Sequence, residues 1–216
     1  MVPDRWRKLG LVFQPAGDRP WSRSFAQMPT ALPVAGGIRV FYSTRDAANR
    51  TSTGCFDVLD TDPTRVVRVH PQPVLGCGPA GAFDDCGAMG SAVVRDGDSV
   101  RLYYQGWNVR TTVPFHTAIG LAISRDEGLS FERHATGPIL DRSPADPFFC
   151  ATPTVVRHGD WRMWYASGVE WRAVGDGLEP RYLIRHARSG DGIAWTPAGV
   201  ALDFDGEAEG GLARPA

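Results

Sequence analysis

LYYQGW, residues 102–107, contains two adjacent tyrosines and a tryptophan within six positions. Neighbouring side chains of a β-strand point to opposite faces of the sheet, so Tyr103 and Tyr104 are both buried only where both faces are covered. A helix fits this chain poorly, because 25 glycines and 17 prolines leave few uninterrupted stretches among 216 residues. The hexamer therefore predicts a strand that is buried on both faces, with one tyrosine on each side.

The same pattern, an apolar residue followed by an aromatic, a tyrosine and a small or polar residue, occurs three times. The copies are VFYS (40–43), LYYQ (102–105) and MWYA (163–166). Each follows a short apolar strand, and Pro29, Gly90 and Pro153 mark a repeat of about 62 residues. Third and fourth strands are predicted after the second and third copies. Repeated four-stranded antiparallel sheets are typical of the blades of a β-propeller.

We therefore predict an all-β chain that forms a single partial β-propeller domain over residues 1–216. Its blades are expected at approximately 25–80, 85–140 and 148–200, with the start of a next blade at 207–216. About three and a half blades are expected here, whereas propellers have about four to eight. We therefore expect the chain to be truncated. KLGLVF (8–13) predicts a further strand outside the three blades.

Composition and charge exclude several classes of function. The net charge is −1 and the arginines are scattered among acids, so a nucleic-acid partner is not expected. No apolar run reaches the roughly 18 residues of a membrane span, and the polar N-terminus lacks the apolar core of a signal peptide, which predicts a cytoplasmic protein. The four cysteines form no C-x-x-C pair and the five histidines show no ligand spacing, so no metal site is predicted.

Seven motifs, spread over most of the chain, carry a resemblance to a known family. They are GAFDDCGAMGSAVV (81–94), LYYQGWN (102–108), IGLAISRDEGLSF (119–131), GPIL (137–140), WRMWYASGVEW (161–171), SGDGIAW (189–195) and EGGLARP (209–215). The chain resembles the five-bladed propellers of the glycosidase superfamily that contains arabinanases, β-xylosidases, invertases and levansucrases, in the manner of glycoside hydrolase family 43. It looks most similar to an uncharacterised bacterial branch of that superfamily.

The resemblance implies a carbohydrate or glycoconjugate partner and a reaction that hydrolyses or transfers a glycosyl group in an axial pocket. The alternative is a non-catalytic propeller that binds glycans or serves as a scaffold. No cofactor is implied; a structural ion near the axis is left open as an alternative, with His116 as its candidate ligand. SRDEGLSF also fits the Asp-box of sialidases, in which we expect Asp126 to hold a turn rather than to act in catalysis.

Glycoside hydrolysis needs one protonated and one ionised carboxyl group, and in the resembled superfamily these stand at the starts of innermost strands. Four residues match or approach such positions: Asp85, Glu209, Asp84 and Asp146. The alternatives are a capped turn for Asp84 and Asp85, a turn before Pro147 for Asp146, and a solvated loop for Glu207 and Glu209. In the first blade Gln27 stands where the superfamily would have an aspartate, which favours the non-catalytic alternative.

Six residues are candidates for contacting the sugar: Trp107, Trp171, Arg45, Gln27, Tyr104 and Glu170. The apolar faces of Trp107 and Trp171 suit a pyranose ring, and packing between blades is the alternative for both. Arg45 could bind a carboxylate or phosphate through two hydrogen bonds, or form a surface salt bridge. Glu170 is expected at the rim, while Tyr104 is also expected in the core.

Overall fold

The computed structural model describes residues 7–206, 211, 212 and 214, and within these ranges all regular structure is β. No helix there is long and apolar enough to cross a membrane. The strands are β1 (Ser24–Val34), β2 (Gly37–Arg45), β3 (Thr51–Val58), β4 (Val66–Val69), β5 (Gly87–Asp96), β6 (Ser99–Val109), β7 (Phe115–Ser124), β8 (Glu132–Arg133), β9 (Phe149–His158), β10 (Asp160–Val174), β11 (Gly177–Ser189) and β12 (Thr196–Leu202).

The strands form three successive four-stranded antiparallel units: β1–β4, β5–β8 and β9–β12. A parallel bridge between Thr51 of β3 and Gly87 of β5 joins the first two units into one sheet. The third unit is a separate sheet. The first strands of the units, β1, β5 and β9, contact one another in sequence order. The predicted all-β fold of four-stranded antiparallel sheets is confirmed.

The two tyrosines of LYYQGW lie in different parts of the core, as their alternation requires. Tyr103 belongs to the cluster that contains Trp161 and Met163 of the third unit. Tyr104 belongs to the cluster that contains Phe41 of the first unit. Both tyrosines are 0% exposed, and burial of a large apolar side chain stabilises a fold by roughly 1.5–3 kcal/mol. The prediction of a strand that is covered on both faces is confirmed.

The first strand of each unit is bent near the same point of the repeat. Register shifts interrupt the pairing of β1 with β2, of β5 with β6 and of β9 with β10. In β1 the backbone of Met28 has φ 53°, and in β9 that of Thr152 has φ 45°. Bulges and left-handed residues re-aim the neighbouring side chains and are frequent beside functional sites. Gln27 directly precedes the bent residue of β1.

The predicted strand at KLGLVF (8–13) is wrong, because residues 7–16 make no strand pairing. Phe13 instead stacks on Phe56 with ring centroids 4.4 Å apart and contacts Tyr42 at 4.9 Å. The apolar pattern of this segment therefore reflects packing against the first unit rather than membership in a sheet.

The aspartate of SRDEGLSF holds a turn, as predicted. Asp126 Oδ1 accepts hydrogen bonds from the backbone N–H groups of Leu129 and Ser130, each at 3.0 Å. Asp191 makes the corresponding contacts with Ile193 at 2.8 Å and Ala194 at 2.9 Å. Both aspartates satisfy backbone donors at the end of the third strand of a unit, so they belong to the scaffold of the fold.

Candidate functional site

A cavity of about 500 Å³ lies at the ends of strands from the first two units, and we refer to it as the Trp107 pocket. Gln27 of β1, Arg45 at the end of β2 and Trp107 of β6 all line it. These three residues are far apart in the sequence, and the folding of the two units brings them to one wall. Half of the six residues predicted to contact a sugar therefore meet in one pocket.

The ring of Trp107 is held in the pocket wall by the parallel bridge between the units. Its Nε1–H donates to Thr51 Oγ1 at 3.0 Å, and Gly87 is its partner in the β5–β6 ladder. A Cβ at Gly87 would overlap Trp107 Nε1 and lie 2.6 Å from Thr51 Cβ. Only a glycine at this position lets the indole lie so close to the strand, and the ring stays half-buried.

The guanidinium of Arg45 lies over this ring, 5.7 Å from the ring centroid. Its Nη1 donates to Asn49 Oδ1 at 2.7 Å. Asn49 adopts the left-handed conformation, with φ 64°, which asparagine tolerates better than most residues. Within the ranges the structure covers, no carboxylate forms an ion pair with Arg45, so the surface salt bridge that the sequence left open is not present.

The loop that carries Asn49 is organised by the carboxylate of Asp46. Asp46 accepts hydrogen bonds from the backbone N–H groups of Ala48 at 2.9 Å and Arg50 at 2.8 Å, and from the Arg50 side chain at 2.9 Å. Burial alone would raise the pKa of Asp46, but the hydrogen bonds from Arg50 and Ala48 outweigh it and hold the pKa below its usual value. The loop therefore keeps its own acid paired with Arg50 and leaves Arg45 to the pocket.

The polar groups of the pocket are cations, amides and hydroxyls. Its wall contains Arg45 and Arg50 but, over the residues that are described, no aspartate or glutamate. The Oε1 atom of Gln27 is buried without a hydrogen-bond partner there. Gln105, also in the wall, accepts a hydrogen bond from the backbone N–H of Thr152 at 3.2 Å. The pocket thus offers hydrogen-bonding groups without an acid–base pair.

Asp84, predicted as a catalytic candidate, lies in the interior. Its side chain is 0% exposed and accepts a hydrogen bond from Arg133 Nε at 2.8 Å. Arg133 also donates to the carbonyl of Gly76 at 2.6 Å. The other carboxylate oxygen, Oδ1, is buried without a hydrogen-bond partner among the described residues. Asp84 does not line the Trp107 pocket, and its side chain forms an interior ion pair rather than the capped turn given as its alternative.

Asp85 is half-buried and lies beside the pocket, since the next residue, Cys86, lines it. Its Oδ2 atom accepts a hydrogen bond from the backbone N–H of Gly81 at 2.9 Å. Its Oδ1 atom is buried and has no hydrogen-bond partner among the residues described. Asp85 therefore combines the role of a turn residue with one unsatisfied carboxylate oxygen.

Asp146 is fully buried in a network of its own, at the edge of the third unit. Its carboxylate accepts hydrogen bonds from Ser143 Oγ at 3.0 Å and from the Tyr165 hydroxyl at 3.2 Å, and Arg185 Nε lies 3.4 Å away. Burial and the adjacent Asp146 charge raise the pKa of Tyr165. This network matches the turn alternative for Asp146. The remaining catalytic candidate, Glu209, and the neighbouring Glu207 lie outside the described residues.

The other three residues predicted to contact a sugar do not line the Trp107 pocket. Trp171 packs edge-on against Phe115 at 5.2 Å and Phe149 at 5.9 Å, which matches the packing alternative. Glu170 is exposed and pairs with Arg172 at 2.8 Å. Tyr104 is 0% exposed in the core, so the prediction that it contacts substrate is wrong. The side chain of Tyr104 is covered on all sides, so it has no path to a ligand.

No metal site emerges from the residues that are described. No group of three or more histidine, cysteine, aspartate or glutamate side chains comes together there. His116 is buried, and its Nε2 lies 2.9 Å from Asp141 Oδ1. Burial would raise the pKa of Asp141, but the hydrogen bond to His116 contributes to holding it below its usual value.

Several residues of the pocket were missed by the sequence reasoning. Asn49 and Arg50 follow β2, and Gln105 precedes Trp107 by two residues on the same strand. The turn RDAANR (45–50), directly after a strand that ends in a candidate residue, was the available signal. Loops at strand ends commonly carry the residues that bind ligands.

The chain has relatives among known proteins, although no protein-family model matches it. It is 40% identical over 214 residues to the uncharacterised protein Rv1502 of Mycobacterium tuberculosis strain ATCC 25618 / H37Rv. It has the same identity to the uncharacterised protein MT1551 of strain CDC 1551 / Oshkosh. Each match covers 97% of this chain and 70% of the relative.

Solved structures with a similar fold include glycoside hydrolases. A glycosyl hydrolase from Bacteroides ovatus has a TM-score of 0.64 and 20% identity, over 97% of this chain and 60% of that one. The β-fructofuranosidase BmSUC1 of Bombyx mori, from glycoside hydrolase family 32, has a TM-score of 0.63 and 20% identity, over 84% and 36%. Zg3597, a family 117 glycoside hydrolase from Zobellia galactanivorans, has a TM-score of 0.60 and 18% identity, over 86% and 49%.

These identities are low enough that the likeness concerns the fold alone, and this chain spans less than two thirds of each of those three enzymes. The predicted β-propeller class is confirmed by the fold that these glycosidases share with the three antiparallel units. The chain belongs to the same family as the uncharacterised Mycobacterium tuberculosis protein Rv1502, and it has the β-propeller fold of glycoside hydrolases.

Proposed function

We propose that this chain is a carbohydrate-active protein whose Trp107 pocket binds a glycosyl unit. The observation that carries the proposal is the meeting of Trp107, Arg45 and Gln27 in one cavity of about 500 Å³. This volume falls in the range of about 300–1,000 Å³ that is usual for small-molecule sites. The glycoside hydrolase fold supports the proposal, and one structure with that fold, a mutant of BmSUC1, holds sucrose.

The chemistry of the wall suits a sugar. The half-buried indole of Trp107 offers an apolar face for the C–H face of a pyranose. The unpartnered Oε1 of Gln27 can accept a hydrogen bond from a sugar hydroxyl. An apolar platform beside a few directional polar groups is the usual composition of a pocket that orients a small polar ligand.

Binding without catalysis is the function that this part of the molecule supports best. Hydrolysis by the common routes needs two carboxyl groups across the scissile bond, whereas the pocket wall contributes amides and arginines. Asp84 and Asp146 are committed to buried partners. Among the described residues, Asp84 and Asp85 each keep one buried carboxylate oxygen without a hydrogen-bond partner, and of these two Asp85 is the one adjacent to a residue that lines the pocket.

That unsatisfied oxygen favours hydrolysis or glycosyl transfer as a second candidate function. Asp85 would supply one carboxyl group, and Glu209 or another acid would supply the second. We also propose that the whole protein forms a five-bladed ring similar to glycoside hydrolase family 43, with blades near residues 25–80, 85–140 and 148–200. Its proposed location is the cytoplasm.

The binding proposal is tested by measuring sugar affinity in the intact chain with and without Trp107. A glycan array followed by calorimetry on the best ligands should show that Trp107→Ala weakens binding by about tenfold to a hundredfold, because a stacked aromatic is often a dominant binding residue. Trp107→Phe should lose less. Trp164→Ala is the matched control, since Trp164 stacks on His186 in the third unit, outside the pocket. Equal affinity for the wild type and Trp107→Ala would reject the pocket.

Turnover separates the two candidate functions. If the chain hydrolyses chromogenic glycosides, Asp85→Asn should abolish turnover and keep sugar binding, because the variant preserves shape but removes the ionisable group. Glu170→Gln is the control, as Glu170 is exposed and paired outside the pocket. Binding without turnover in the wild type would reject the hydrolytic candidate for this chain.

A further inference from the structure

The guanidinium of Arg45 is held in place with most of its donors unused. Its Nη1 donates a hydrogen bond to Asn49 Oδ1 at 2.7 Å, and its Cζ atom lies 5.7 Å from the centroid of the Trp107 ring. A guanidinium has five N–H donors in a planar fork that matches a carboxylate or phosphate. The contact with Asn49 uses one of them, and the Nε and Nη2 donors have no protein acceptor within the residues described.

Arg45 forms no ion pair with a carboxylate of the described residues. Arg50, the second arginine in the wall, pairs with Asp46 at 2.9 Å. No aspartate or glutamate in the described part of the chain lines the pocket, although Asp85 lies beside it, so no carboxylate of the wall balances the charge of Arg45. A cation that is half-buried beside an aromatic ring is less hydrated than one in open solvent. An anionic group that reaches it therefore forms a stronger ion pair than at an exposed site.

We propose that the Trp107 pocket selects an acidic sugar, in which an anionic group pairs with Arg45 while the ring lies against Trp107. The anionic group is the carboxylate of a uronic acid or the phosphate of a sugar ester, since both fit the fork of a guanidinium. The inference rests on the proposed function, because it names the class of sugar that the same pocket takes. It predicts discrimination by charge between sugars of equal size.

The test compares matched neutral and acidic sugars at pH 7 on the full chain. A glycan array and calorimetry would use glucuronate and glucose 6-phosphate against glucose, galacturonate against galactose, and oligosaccharides that contain them. The acidic member of each pair should bind about tenfold to a hundredfold more tightly, because hydrogen bonds to charged groups are stronger than neutral ones. Preference for glucuronate or for glucose 6-phosphate identifies which anion the pocket takes.

Variants of Arg45 separate charge recognition from simple support of the tryptophan. Arg45→Gln should remove the preference for acidic sugars, so that the ratio of acidic to neutral affinity falls to about one, and Arg45→Lys should retain part of that ratio. Arg68→Gln, at an exposed position of β4, is the control and should leave the ratio unchanged. If Arg45 only supported Trp107, Arg45→Gln would weaken neutral and acidic sugars equally.

Two negative results have different meanings. Equal binding of neutral and acidic sugars, with loss of both in Trp107→Ala, would overturn the acidic-sugar inference and leave the proposed function in place. Binding of no sugar on the array would overturn both. A preference for acidic sugars that survives in Arg45→Gln would also overturn the assignment to Arg45.

Discussion

The interior around Asp84 and the pocket around Arg45 differ in whether a charged side chain has an ion-pair partner within the protein. In the interior, the Asp84 side chain is 0% exposed and forms an ion pair with Arg133, whose Nε lies 2.8 Å from Asp84 Oδ2. In the pocket, Arg45 contacts the side-chain amide of Asn49 and the ring of Trp107, and no carboxylate of the described residues forms an ion pair with it. Both sites lie at strand ends of the first two units, so the architecture alone does not explain the difference.

The difference teaches where a ligand can act. A charge removed from water must be paired, or the fold loses several kcal/mol, and Asp84 satisfies this requirement within the chain. A half-buried charge at an open cavity keeps its contact with water and can exchange that water for a ligand. The partners that a candidate residue already has within the protein therefore distinguish a structural residue from a ligand-binding one better than its chemical type does. The predictions below test this distinction.

The largest effect is expected for Asp84→Ala, which leaves Arg133 without its partner. The Arg133 side chain is only 22% exposed, and removing one member of a buried pair costs about 3–5 kcal/mol. The free energy of unfolding from urea titration should fall by this amount. A catalytic role for Asp84 predicts a different result, namely a loss of turnover with normal stability.

The neighbouring residue is the matched control for that experiment. Asp85→Asn keeps a hydrogen-bond acceptor for the backbone N–H of Gly81, so its cost in unfolding free energy should stay below about 1 kcal/mol. If Asp84→Ala and Asp85→Asn destabilised the chain equally, the contrast between a paired interior and an open pocket would be lost.

A smaller effect is expected for Gly87→Ala, at the point where the pocket meets the sheet. The added Cβ would overlap Trp107 Nε1 and lie 2.8 Å from the backbone nitrogen of Thr51. Overpacking of this kind costs about 1–3 kcal/mol, and it should displace the indole, so that sugar affinity falls together with the melting temperature. Gly137→Ala is the control, because nothing lies within 4 Å of its added Cβ.

Displacement of the ring can be observed directly in that experiment. Trp107 is one of seven tryptophans, and a difference spectrum against Trp107→Phe isolates its fluorescence. An unchanged Trp107 signal in Gly87→Ala, with a normal melting temperature, would show that the ring does not depend on the close approach.

Most of the fold was predictable because it rests on a local pattern that repeats. The alternation around Tyr103 and Tyr104 required a sheet that is covered on both faces, and both side chains are fully buried. The N-terminal segment failed for a related reason. The apolar residues of KLGLVF resemble a strand, but Phe13 obtains its burial by stacking on Phe56 without pairing its backbone. Pattern predicts burial, whereas pairing depends on a free strand edge.

The site was predictable only in part, because partners come from distant parts of the chain. Arg45, Trp107 and Gln27 were found from their places at strand ends, and these places are preserved by the repeat. Asp84 and Asp146 occupy comparable places, but their partners, Arg133 and Tyr165, lie on other strands, 49 and 19 residues away. No feature of the local sequence distinguishes a carboxylate that will be paired from one that will stay free.

The smallest effect concerns Asp46, the carboxylate that holds the pocket loop. Its hydrogen bonds with Ala48 and Arg50 keep the pKa of Asp46 below its usual value. A carboxylate of this kind contributes stability above its unfolded pKa of about 3.9, and the contribution disappears as the pH falls through the lower folded value. The Arg50 side chain is 59% exposed, so solvent screens the pair and keeps its contribution to stability small.

Melting curves of the wild type and Asp46→Asn from pH 7 to pH 2 follow this contribution. The variant should melt about 2–4 °C lower at pH 5–7, and the difference should close below about pH 4, as the wild-type carboxylate becomes protonated. Asp62→Asn is the control: the pKa of Asp62 is lowered by hydrogen bonds from Thr64, so it tests acid stability in a turn away from the pocket. Loss of the preference for acidic sugars in Asp46→Asn, but not in Asp62→Asn, would show that the loop orients Arg45 through Asn49. An unchanged preference would mean that the contact with Trp107 is enough to hold the guanidinium in place.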